Sequence, residues 1–133
     1  MDNGMTKDES GLIARWVRKF ACAFRGVAVG VRGENSFVVH GVATAAVLAA
    51  GVWLQLPQLQ WLLLVLCIAT VLSAELFNSA LERLARAISA EDHPDIRDAL
   101  DVASAAVLIA AVGAAIVGLV LLARPILSML FAA

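Results

Sequence analysis

The stretch "LLLVLCIATVLSAELFNSALERLAR", residues 62–86, decides the fold. Fourteen residues from Trp61 to Ala74 carry no charge. As a helix rising about 1.5 Å per residue, that run spans about 21 Å, most of a hydrocarbon core about 30 Å thick. Glu75, Asn78 and Glu82 then follow at i, i+3 and i+7. At about 100° per residue, Glu82 returns to within about 20° of Glu75, and Asn78 lies about 60° away. The three share one face. Glu75 sits near the inner edge of the hydrocarbon, and Glu82 lies two turns further, in the headgroup zone. An ionisable group in a span costs at least about 2–3 kcal/mol, so its default reading is functional.

Composition agrees with a membrane solvent. The 133-residue chain is 62% hydrophobic and only 16% charged, with a mean hydropathy of +0.88. A soluble domain has more charge and less apolar surface, so the class is a small, all-α integral membrane protein with a single membrane domain, 1–133. The net charge of −1 gives no electrostatic case for nucleic acid. Cys22 and Cys67 show no metal-ligand spacing.

Outward from the opening stretch, four helices are expected. The first, 10–32, starts after Ser10 and places Leu12, Ile13, Trp16, Val17, Phe20, Phe24, Val27 and Val31 on one stripe. Arg15, Arg18, Arg25 and Arg32 run along the other side, which suits a helix lying in the headgroup region. Spans are expected at 37–56, 59–87 and 99–122, with Pro57 ending the first and Pro94 stopping any helix from continuing through the polar loop before the third. Six Lys and Arg precede the first span, and Arg83, Arg86 and Arg97 flank the second connection. This bias places the N-terminus and the 88–98 loop in the cytoplasm. Apolar sequence begins near Val38, too late for a cleaved signal. Small residues every four positions, such as Ala106, Ala110, Ala114 and Gly118, favour close helix packing and a homo-oligomer.

Glu34 and Asp101 frame the same membrane edge as Glu75 and Glu82, with Ser104 one turn into the third span. Carboxylates grouped there suit Mg²⁺, which takes oxygen ligands and bridges to phosphate. Nearby basic residues suit the phosphates themselves. No P-loop, kinase Gly-rich loop or HExxH occurs. Mg²⁺-dependent chemistry between a cytoplasmic phosphate substrate and a lipid acceptor follows. The residues alone also admit another Mg²⁺-dependent transfer on a lipid, or a diverged non-catalytic membrane oligomer acting as a scaffold.

The segments "AFRGVAVGVRGE", "AELFNSALERL" and "HPDIRDALDVASAAVLIA" resemble the small prokaryotic diacylglycerol kinase / undecaprenol kinase family over about residues 15–122. The resemblance implies a homotrimeric lipid kinase of the cytoplasmic membrane, moving the γ-phosphoryl group of ATP to a lipid hydroxyl at composite sites. It implies Glu75 as general base, and Glu34 and Glu82 as holders of the Mg²⁺ that bridges the ATP phosphates. Arg15, Asn78, Glu91, Asp92, His93 and Asp101 match ATP-side positions; Trp53 and Ser104 match lipid-side positions. Three positions depart from the family pattern. Leu100 replaces a lysine, Arg86 an aspartate, and Val38 an arginine. Losing the lysine removes a positive charge from the phosphates, and Arg86 or Arg97 is the expected compensating cation.

Overall fold

The computed structural model describes residues 5–32, 34–88 and 93–131, with side chains for all of these except 5–10, 124 and 128–130. Four helices follow in order: α1 Met5–Val31, α2 Asn35–Trp53, α3 Gln58–Ile88 and α4 Pro94–Phe131. No strand occurs among the described residues. The chain divides into two units, 1–33 and 34–133. Helices α2–α4 lie in the second unit, and α1 lies in the first.

In α1 the side chains of Trp16 and Phe20 face one another with ring centroids 6.2 Å apart. Lys19 lies with its Nζ 5.0 Å from the Trp16 ring centroid, a cation–π contact at i, i+3 spacing. The large apolar side chains along α1, from Leu12 to Phe24, are exposed.

Helices α2, α3 and α4 are each long and apolar enough to cross a membrane. Their bounds shift from the sequence expectation for local reasons. Helix α2 stops at Trp53, four residues before Pro57, because Leu54 caps it and Gln55 takes φ +50°. The amides of Leu54 and Leu56 donate back to the carbonyls of Ala50 and Gly51, closing a tight turn. Pro94 starts α4 rather than standing in a loop, since the first helical position needs no amide hydrogen bond. At its far end α4 continues through Pro125 to Phe131, a tolerance for proline common to membrane helices.

Helix α3 packs along α4, and α2 leans on both. The apolar core sits at the 54–57 turn. Leu54, Leu56 and Leu64 are buried there, with Val47, Trp61, Leu121 and Leu122 against them. Gly51 permits this close approach: a Cβ at that position would meet the Trp61 ring at 3.0 Å. Elsewhere the helices expose Val, Leu and Ile along most of their length. An exposed apolar surface of this kind calls for lipid or further copies of the chain.

Candidate active site

At the opposite end of the three-helix unit from the apolar turn, the first two turns of α2 run antiparallel to residues 75–86 of α3. Glu75 is only 3% exposed. An ionised carboxylate buried this far is stable only where donors meet it. Helix α2 supplies two of them from one face, four residues apart. Ser36 Oγ donates to Glu75 Oε2 at 3.2 Å, and His40 Nε2 lies 2.9 Å from Glu75 Oε1. Ser79, one turn along α3 from Glu75, is buried as well.

Above Glu75 a second polar layer forms. Asn78 Nδ2 donates to Glu82 Oε1 at 2.7 Å, as the i, i+4 spacing allows. Arg86 stands between two carboxylates, 3.6 Å from Glu82 Oε2 and 3.8 Å from Glu34 Oε1. Arg83 approaches the same Glu34 oxygen at 3.9 Å. These are ion pairs at the edge of contact, not tight hydrogen bonds, and both arginines are partly exposed. Glu34, just ahead of α2, thus joins Glu82 through the shared guanidinium of Arg86.

Asn78 Oδ1 is buried with no hydrogen-bond partner among the described residues. A buried acceptor left unpaired is costly. An oxygen-seeking cation at this level would satisfy it together with Glu34 and Glu82. No three His, Cys, Asp or Glu side chains converge into a closed cage among the described residues.

Below Glu75 lies a cavity of about 390 Å³ between the three helices. Its walls are mostly small or apolar, including Ala43, Val47, Leu64, Ala111 and Gly118, and His40 stands on its wall. Polar chemistry and a hydrocarbon-sized space therefore adjoin at one histidine.

Of the residues singled out in the sequence, this unit brings together Glu34, Glu75, Asn78, Glu82 and Arg86. Asp101 and Ser104 are exposed on α4. Leu100 beside them lines a groove with Leu81, Leu84 and Ile88. Leu84 is about 180° around α3 from Glu75. The start of α4 therefore packs on the side of α3 away from the acids, and the expected convergence of four carboxylates does not occur within one chain. Arg97 lies on the same first turns of α4, and His93 pairs with Asp95 at 3.8 Å. Trp53 closes α2, about 20 Å along the helix from His40. Arg15 belongs to the separate α1 unit, and Glu91 and Asp92 lie outside the described residues. Ser36, His40 and Arg83 are members of the cluster that the sequence reading missed. The signal for the first two was available: a polar pair at i, i+4 in an otherwise apolar span.

The family model described as prokaryotic diacylglycerol kinase matches residues 21–122. The chain belongs to the prokaryotic diacylglycerol kinase family. Among its relatives in that family is the undecaprenol kinase of Bacillus subtilis (strain 168), 34% identical over 116 residues, covering 87% of this chain and 94% of that one. The diacylglycerol kinase of Escherichia coli (strain K12) is 31% identical over 108 residues, covering 81% and 88%. The matched range contains both polar layers, so the clustered side chains of this diacylglycerol kinase family member fall inside the family's own span. Arg15 falls outside it.

Proposed function

We propose that this protein is a lipid kinase that transfers the γ-phosphoryl group of Mg-ATP to the hydroxyl of a membrane lipid, diacylglycerol or undecaprenol. The observation that carries the reading is the depth of Glu75. This carboxylate is buried in a membrane-spanning helix and held by two donors. About two turns along α3 is an acidic and basic layer fit for a metal–phosphate complex. Family membership and the names of its relatives support the same activity.

Glu75 acts as general base on the acceptor hydroxyl, a role that geometry permits because a carboxylate retains free lone pairs beyond its two bonds. Glu34, Glu82 and the unpaired Asn78 Oδ1 would hold Mg²⁺. When bound, that ion neutralises charge on the ATP phosphates. Arg86, with Arg83 beside it, supplies positive charge at the same level, and we read it as the cation that compensates for the missing lysine. Phosphoryl transfer asks the protein for positioning and charge more than for covalent chemistry, and this cluster provides both.

The remaining residues complete the reading. Arg15, Glu91, Asp92, His93 and Asp101 serve the ATP side, with Arg97 as a second cation. Ser104 serves the lipid side near the hydroxyl, and Trp53 touches only the far end of a lipid chain. Asp101 and Ser104 face away from the acids of their own chain. In a homotrimer with shared sites, as the family resemblance implies, a second copy's α4 would supply them to the cluster. The Lys and Arg bias supports a cytoplasmic N-terminus and 88–98 loop in a prokaryotic inner membrane.

The test is transfer from Mg-ATP to diacylglycerol and, separately, to undecaprenol by protein purified in detergent, with its oligomeric mass measured in parallel. Transfer to either lipid that disappears when Mg²⁺ is chelated supports the kinase. Intact trimers without transfer to either lipid would favour the scaffold instead.

A further inference from the structure

Glu75 and the second polar layer account for the base and the phosphate ligands. They do not account for His40. A histidine inside a span is itself an expensive residue. Here its side chain is about one-fifth exposed and its Nε2 lies 2.9 Å from a carboxylate oxygen that is almost wholly buried. An ionised carboxylate only accepts hydrogen bonds, so Nε2 carries the hydrogen in this contact. Ser36 occupies the other oxygen from the same face of α2. Two donors at two oxygens fix a carboxylate's plane as well as its position.

We propose that His40 is a positioning residue for phosphoryl transfer, orienting the Glu75 carboxylate toward an acceptor hydroxyl that arrives from the apolar cavity. The inference rests on the lipid kinase reading. With Oε1 held by His40 and Oε2 by Ser36, a free lone pair of Glu75 points to a defined place. His40 also forms part of the cavity wall, where Ala43, Val47 and Ala111 offer hydrocarbon contacts. An acceptor whose chain lies in that cavity therefore meets the carboxylate at His40. In the step, the acceptor's O–H proton passes to Glu75 while its oxygen bonds to the γ-phosphorus. The bond from that phosphorus to the bridging oxygen breaks, and ADP leaves with the electron pair. His40 keeps its own proton throughout.

His40→Leu fills a similar volume without a donor, whereas His40→Gln carries an amide N–H at similar reach. Each is assayed as purified full-length protein for kcat and KM with Mg-ATP and with the lipid that the wild type accepts. His40→Leu should lower kcat about 10- to 100-fold, the scale of a misplaced reacting group, with KM for ATP unchanged. His40→Gln should recover kcat to within about threefold of wild type. If the leucine variant fails to fold, His40→Asn replaces it, since its shorter side chain withdraws the donor, and the same loss is expected. Undiminished kcat without the donor would overturn the positioning role, as would a loss in KM for lipid alone or a glutamine variant no better than leucine. Absence of transfer by the wild type would instead overturn the kinase reading on which this one stands.

Discussion

The two ends of the α2–α4 unit are held together by different physics. At the 54–57 turn, Leu54, Leu56 and Leu64 pack with Trp61 against Gly51, and contact distance alone sets how near α2 and α3 come. At the other end, Ser36, His40, Glu75, Glu82 and the arginines meet through hydrogen bonds and ion pairs. Close packing in lipid gains dispersion contacts and asks nothing of chemistry. Burying Glu75 is costly and gains nothing that a leucine would not provide, so its presence points to a task. The apolar end is close-packed, and the polar end carries the groups to which we assign the chemistry.

Substitutions separate these two contributions. Glu75→Gln keeps the shape of the side chain and removes the base; lipid phosphorylation should fall about 100- to 10,000-fold while the protein elutes as the wild type does. Gly51→Ala should do the reverse. Its Cβ would press on the Trp61 ring at 3.0 Å and on Leu56 at 3.3 Å. Overpacking of this kind costs about 1–3 kcal/mol, read as a lower unfolding midpoint in detergent, with turnover per folded molecule preserved. Arg86→Ala leaves Glu34 and Glu82 without their shared cation; KM for Mg-ATP should rise about tenfold, the worth of one charge-assisted contact. Trp53→Ala, exposed and distant from Glu75, should change transfer by less than about twofold, a direct comparison with the polar end.

Much of this division is legible in the sequence. Helical period places Glu75, Asn78 and Glu82 on one face, and the structure keeps Asn78 bonded to Glu82 there. The three spans follow from apolar length. What sequence reading misses arises between helices. His40 and Ser36 gain their meaning only from Glu75, some 35 to 39 residues away, and no period within α2 announces that partner. Asp101 shows the opposite failure: an expected depth in the membrane says nothing of azimuth, and α4 packs Leu100 against Leu81 and Leu84 on the other side of α3. No helix continues through Pro94, as expected, but α4 begins at this proline rather than at 99. A proline interrupts a helix only from its interior, and at the first position it begins one.

The central claim is that Glu75 does chemistry at the meeting of lipid and nucleotide. Its most direct test follows γ-labelled ATP into the lipid fraction of detergent micelles containing diacylglycerol or undecaprenol, with wild-type protein and Glu75→Gln side by side. The account predicts labelled lipid with the wild type and essentially none with a folded Glu75→Gln variant. Equal labelling by both proteins would contradict it.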